Sequence, residues 1–487
     1  MSDTIQHDLS NASNILDTFI KEHAPQKPVL FRALSEWNPW WDSGKVPPAI
    51  EGVPRRLGAD LIDSLESRAV TLLAGVRRSG KTTAMYQLVG RLIREGVPTK
   101  QILYANMEDS ALLAPSLDEI LSTFRQSMNP KGRIYLFLDE VQAKAEWERW
   151  VLREYEQRKP VKVVATGSSS TLLRGERASL LVGRNLAFEI APLRFREYLE
   201  FRREEPVTAN IRPRAPVSPE RTDALIHHLD SYLEVGGFPG VVLQDATHHR
   251  TTLDGYFHDI LYRDIIRRTH ADAARITALA VHLLTTIGSL LSLRKLARAT
   301  GVSPESIRTY LGYLEECYLV RTVPMFTRSS RSGLEERYPR KVYAVDTGLR
   351  NRVVQRSGQD RGSLAENLVA NELARRFRFV SYWKGKREVD FVVRRQDGRY
   401  LAFNVWYGDP GERIIPQREA EGMDEILATL GTGRGGVAEA TILTRNREGR
   451  IGDDRIQLVP LWSWLLSDGT LPSKGADGKT RRSSRTA

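Results

Sequence analysis

The 487-residue chain holds a single cysteine, Cys317. One thiol excludes an intramolecular disulfide and a thiolate zinc cluster, and suits a reducing compartment in which Cys317 packs as a small apolar residue. Long apolar runs are lacking as well, since none approaches the roughly 18 residues of a membrane span. The opening MSDTIQHDLSNASNILDTF is polar and acidic, without the basic-then-apolar order of a signal peptide. A cytoplasmic protein with no membrane partner is expected. Neither an internal repeat nor an N-K-x-D motif that would read guanine is present.

Positive charge, by contrast, is plentiful. Lys and Arg number 72 against 60 Asp and Glu, for a formal net charge of +12 and a sequence pI near 9.7. That balance favours an anionic partner, with nucleic acid the first candidate, although arginines scattered over the surface would give the same sum. With 41% hydrophobic residues the chain can build ordinary cores, and it is too long for one. The expected order is an N-terminal arm (1–54), with a short amphipathic helix around Ile15, Leu16, Phe19 and Ile20 and a connector holding Trp37, Trp40 and Trp41; an α/β domain (55–202); a Pro-rich linker and helical lid region (203–272); a winged helix (273–340); a second α/β domain (341–467); and a basic, disordered tail (468–487).

Within 55–202, short apolar runs (TLLAG, QILYANME, IYLFLDEV, VKVVATG) alternate with longer amphipathic stretches, which predicts a parallel sheet with helices on its faces. Gly75-Val76-Arg77-Arg78-Ser79-Gly80-Lys81-Thr82 fits G-x-x-x-x-G-K-[ST] between a predicted strand and a predicted helix, with Thr83 next. In that context the glycines let backbone amides converge on phosphate oxygens, Lys81 reaches the β- and γ-phosphates, and the Thr82 hydroxyl joins a magnesium shell. The apolar strand Ile134–Leu138 runs into Asp139 and Glu140. Asp139 is placed to hold magnesium through water and Glu140 to polarise the attacking water. Thr166 and Ser168, at the end of the next strand, are candidates for contact with that water or the γ-phosphate; one of Ser168, Ser169 and Ser170 capping a helix is the alternative. Arg184, in L-V-G-R, is a candidate arginine finger acting across a homo-oligomer interface.

Taken in order, G-V-R-R-S-G-K-T-T, L-D-E-V-Q, T-G-S-S-S, L-V-G-R, A-P-L-R-F-R-E-Y, G-G-F-P, Y-R-D-I-I, V-Y-A-V-D-T-G-L and E-V-D-F resemble the prokaryotic AAA-type ATPases that carry a C-terminal DUF4143 domain, over about residues 55 to 465. The resemblance implies ATP rather than GTP, a P-loop ATPase module, a winged-helix segment, and a C-terminal α/β domain similar to the restriction-endonuclease fold.

From Leu293 to Glu316, a short helix, the turn Gly301-Val302-Ser303 and a second helix begun by Pro304 give a helix-turn-helix pattern. Arg294, Lys295, Arg298, Arg308 and Thr309 are the candidate DNA contacts, and the stretch from Arg328 and Arg331 to Arg340 and Lys341 a candidate phosphate-touching wing. A rigid spacer or protein-docking unit is the alternative. In the last domain Glu366 on a helix and Asp390 on a strand, with Glu388 beside it, match the first positions of an endonuclease-like site; Asn404 and Trp406 stand where the next strand needs a carboxylate and a lysine. Lys384 or Lys386 would have to migrate in to restore the cation. The expectation is a catalytically degenerate site.

These elements together predict a switch that binds and hydrolyses ATP with Mg²⁺ and couples it to DNA or to a protein partner. A nucleotide-bound regulatory or defence-associated scaffold with little turnover, and an ATP-dependent nuclease, are the alternatives.

Overall fold

The computed structural model describes residues 27–168, 180–204, 217–327, 339–354, 360–408, 415–433 and 435–467. The expected helix around Ile15, the residues Ser169, Ser170, Arg328 and Arg331, and the 468–487 tail lie outside the described residues. The chain divides into two compact units, Met1–Pro192 with Gly255–Ile276 and Arg308–Leu319, and Leu193–Asp254 with Thr277–Ile307 and Val320–Ala487.

The first unit is built on five parallel strands, β1 (Val70–Ala74), β2 (Ile102–Asn106), β3 (Ile134–Asp139), β4 (Val161–Gly167) and β5 (Asn185–Glu189), in the order β2-β3-β4-β1-β5. The three central strands are buried along nearly their whole length, Thr71, Lys162 and Thr166 included, because both sheet faces are covered. Leu72, Leu136, Leu138 and Val163 point to one side, onto Leu112, Phe124 and Trp147. Leu73, Phe137 and Val164 point to the other, onto Met85, Leu88 and Val89 of the helix Lys81–Arg94. Each such side chain contributes about 1.5–3 kcal/mol on burial. Trp37, Trp40 and Trp41, expected on a connector, join these cores, and the indole N–H groups of Trp40 and Trp41 donate to the Ile102 carbonyl. Because β1 lies beside β4 and β4 beside β3, the loops after Ala74, Asp139 and Gly167 open at one edge, where ligands bind in sheets of this kind.

In the second unit β6 (Val320–Val323) and β7 (Lys341–Ala344) pair antiparallel. In chain order they come after the helices Leu293–Thr300 and Pro304–Glu316, the second of which falls in the first unit from Arg308 on. Next comes a mixed sheet of β8 (Val380–Lys384), β9 (Glu388–Arg394), β10 (Tyr400–Trp406), β11 (Val437–Thr444), β12 (Gly449–Ile451) and β13 (Ile456–Pro460), in the order β12-β13-β11-β10-β9-β8. Strands β10, β11 and β13 run parallel and the outer pairings are antiparallel. Met423, Ile426 and Leu427 of the helix Gln417–Leu430 cover one face, against Val389, Val392, Ala402 and Ile442. Among the described residues no helix is long and apolar enough to cross a membrane. Unforeseen in the sequence is a π-helical turn, Ile260–Ile266, which belongs to the first unit.

Candidate nucleotide-binding site

Two glycines shape the loop between β1 and the helix Lys81–Arg94. At Gly75 a Cβ would stand 2.2 Å from the Ile190 carbonyl oxygen, and Gly80 takes a φ of +95° to start the helix. Both positions exclude larger residues, the first by contact and the second by the left-handed backbone. Arg55 braces the loop from outside, its guanidinium donating to the Ser79 and Ala191 carbonyls at 2.8 and 3.1 Å. Sequence reasoning missed this arginine, which belongs to no motif.

Lys81 is buried, and its ammonium donates to the loop's own carbonyls, Gly75 O at 3.1 Å and Val76 O at 3.4 Å. Burial lowers its pKa, and the negative charges of Glu140, Asp139 and Asp264 oppose that. Ser79 Oγ is buried with no hydrogen-bond partner among the described residues. A buried cation turned back on carbonyls, beside an orphaned hydroxyl, is what a cradle for an anionic group looks like when its own atoms fill in. The residues therefore fit a phosphate. Thr83, one residue on, sets its methyl against Gly52 instead.

Asp139 ends β3 and is buried. Its Oδ2 accepts the Thr82 and Tyr104 hydroxyls, each at 2.7 Å, and its Oδ1 accepts the Thr166 hydroxyl. A carboxylate and the Thr82 hydroxyl at the loop's end are hard oxygen donors of the kind Mg²⁺ prefers. Glu140 sits at a φ of +50°, with its amide donating to Thr166 Oγ1 at 3.0 Å and its Oε2 accepting Gln142 Nε2 at 2.6 Å. Burial pushes its pKa up, Lys81 pulls it down, and Asp139 adds to the rise. Gln142, in the D-E-V-Q run, is a second residue that sequence reasoning left without a role.

The remaining predicted residues lie differently. Ser168 Oγ donates to Asp264 Oδ1 at 3.1 Å. Arg77 forms a bidentate pair with the same carboxylate, Nη2 to Oδ1 at 2.7 Å and Nε to Oδ2 at 3.2 Å. Burial works against the Arg77 charge, but Asp264, with Glu140 and Glu108 behind it, outweighs that and raises the pKa. Arg78 is exposed, 3.4 Å from Asp259 and over the Tyr256 ring. Arg184 is partly exposed and paired with Glu156 at 3.3 Å. Asp264 lies in the Y-R-D-I-I block, to which the sequence assigns no role, and the fold brings it to the loop.

The acids of the second unit gather around an unexpected cation. Lys341, expected on a phosphate-touching wing, is instead buried, its ammonium 2.7 Å from Glu388 Oε1, 3.0 Å from Glu366 Oε1 and 3.4 Å from Asp390 Oδ1. It leaves the surface because its own strand, β7, places it there. Burial disfavours its charge, yet Asp390, Glu366 and Glu388 more than reverse that. Tyr343 OH donates to Glu366 at 2.7 Å. Asn404 Oδ1 accepts the Asp390 amide, and Lys384 pairs with Glu388 at 3.2 Å rather than entering the cluster. Among the described residues no group of three or more acids, histidines or cysteines is arranged to hold a metal ion.

Family models match in tandem: an AAA domain over residues 67–199, a domain of unknown function (DUF8612) over 226–360, and a domain of unknown function (DUF4143) over 361–464. An uncharacterized protein of Methanocaldococcus jannaschii is 29% identical over 430 residues, 84% of this chain and 91% of the relative. Another, from Haemophilus influenzae, is 28% identical over 346 residues, 69% of this chain and 82% of the relative. Among solved structures, the Aeropyrum pernix Orc1 protein in complex with DNA is 14% identical and covers 62% of this chain and 94% of its own, at a TM-score of 0.29, too loose to carry an argument.

Proposed function

We propose that this chain, which belongs to the proteins joining an AAA domain to a DUF4143 domain, is an ATP-hydrolysing switch. One observation carries the reading: the Thr82 hydroxyl and the Asp139 carboxylate meet at 2.7 Å at the end of the phosphate loop, one residue from Glu140. Thr82 and Asp139 hold Mg²⁺, which supplies neutralising charge to the phosphates when bound. Lys81 turns from its loop carbonyls to the β- and γ-phosphates, and the amides of Val76 to Thr83 line the chain of phosphates. Glu140, its proton affinity raised by burial and by Asp139, accepts the proton of the attacking water. Equilibrium binding tests the site: Glu140→Gln protein is expected to retain bound ATP, and Lys81→Ala protein to lose it. ATP binding that survives Lys81→Ala would remove the assignment.

The DUF4143 domain acts in this reading as a binding or docking surface, because Lys341 already occupies the centre of its acids. Plasmid nicking in Mg²⁺ or Mn²⁺ that Asp390→Ala abolishes would overturn that.

DNA coupling is a second reading, favoured by the exposed side chains of Arg294, Lys295, Arg298, Arg308 and Thr309 on the helix-turn-helix. Added duplex DNA is then expected to raise phosphate release, with the effect falling steeply with salt. Arg184 is read as the cation offered to the nucleotide of another copy, so Glu140→Gln protein with ATP is expected to scatter light as an oligomer and Arg184→Ala to reduce turnover.

A further inference from the structure

Asp264 lies on the π-helical turn Ile260–Ile266 and is buried, its side chain 4% exposed. Its partners are Arg77, from the phosphate loop, and Ser168, from the end of β4. A bidentate guanidinium–carboxylate pair shielded from water is among the stronger contacts a protein makes. A π-helical turn exchanges the i→i+4 bonds of an α-helix for i→i+5 bonds, here from the Arg267 amide to the Tyr262 carbonyl, and such turns are frequent at functional sites.

The donors that Asp264 holds are those a terminal phosphate seeks. Three carboxylates, Asp139, Glu140 and Asp264, lie at the loop, and they differ in what holds them. Asp139 is tied to Thr82, Tyr104 and Thr166, and Glu140 to Gln142, groups with their own place beside the phosphates. Asp264 is held by the two donors for which the phosphate competes.

We propose that Asp264 is a nucleotide-responsive latch, which holds Arg77 and Ser168 in the absence of a terminal phosphate and yields them to the γ-phosphate of ATP, releasing the Ile260–Ile266 turn. ADP, without that phosphate, leaves the latch closed. This rests on the reading of Gly75–Thr82 as the nucleotide loop.

The test uses full-length protein carrying Glu140→Gln, so that ATP persists, with and without Asp264→Asn. Titration calorimetry with Mg·ATP and Mg·ADP is expected to show ATP bound roughly ten-fold more tightly by the Asp264→Asn protein and ADP changed by less than about two-fold, the size expected when one charged competitor is removed. Unchanged or weaker ATP binding overturns the latch, and so does equal tightening for both nucleotides. Lys81→Ala separates the two layers: loss of both nucleotides upholds the loop whatever Asp264 does, and retention of both removes loop and latch together. Hydrogen exchange on protein with native Asp264 gives a second readout that needs no change at that residue. Amides 260–266 are expected to exchange faster with ATP than with ADP, and equal protection overturns the proposal.

Discussion

The Lys341 ammonium lies 2.7 Å from Glu388 Oε1 in the second unit, with Glu366 and Asp390 completing its surroundings. The sequence predicts a site without its cation, which Lys384 or Lys386 would have to migrate in to restore. The cation comes from β7, earlier in the chain, and ties that strand to the helix Arg361–Arg376 and to β9.

Removing the ammonium leaves buried carboxylates facing one another. Lys341→Met is therefore expected to cost about 3–5 kcal/mol at pH 7, as breaking a buried ion pair does. The loss should shrink as pH falls, because burial and Asp390 already push the Glu366 pKa up and protonation relieves the repulsion. Urea unfolding across pH measures it, and a pH-independent loss below about 1 kcal/mol would place the cluster with weak surface pairs.

Asp346 gives a second pH signature. Burial raises its pKa to about 6, against the backbone amides of Gly237 and Leu349 that favour its charge. A carboxyl whose folded pKa lies above its unfolded value stabilises the fold below the unfolded value, 3.8, and loses that contribution as pH rises through about 6. The stability difference between wild type and Asp346→Asn, which does not titrate, is expected to shift against wild type by on the order of 3 kcal/mol from pH 4 to pH 7. Parallel curves would contradict it.

Gly75→Ala tests the phosphate loop without touching a charged group. Its Cβ would press into the Ile190 carbonyl at 2.2 Å, so the loop must shift. Nucleotide affinity is expected to fall more than about ten-fold, since misplacing cradle amides loses several charge-assisted hydrogen bonds. The melting temperature should fall as well, because Ile190 is a core residue whose amide donates to the Ala74 carbonyl at 2.8 Å. Wild-type affinity in the variant would show that the backbone does not hold phosphate there.

The parallel sheet, its phosphate loop and the Asp139–Glu140 strand end were legible in the sequence because each is local: an apolar run followed at fixed spacing by the groups it presents. What was not legible depends on long-range approach. Asp264 reaches Arg77 across 187 residues, and Arg55 reaches Ala191 across 136. The blocks G-G-F-P and V-D-T-G-L proved to be one junction, with the Gly237 amide donating to Asp346 Oδ2 at 2.6 Å and a Cβ at Gly348 standing 1.9 Å from the Val235 carbonyl. Neither block states its partner, since a backbone amide has no residue type and close approach shows only as a glycine. Lys341 misled for a similar reason: a lysine in a basic run reads as surface until the strand pairing shows which way its side chain is turned.

Steady-state phosphate release from Mg·ATP by wild type, Lys81→Ala and Glu140→Gln tests the central claim most directly. Turnover is expected in wild type, none above background in Lys81→Ala, and a fall of at least about 100-fold in Glu140→Gln, the lower end of what a positioned general base contributes. Release at the wild-type rate in both variants would contradict hydrolysis at this site.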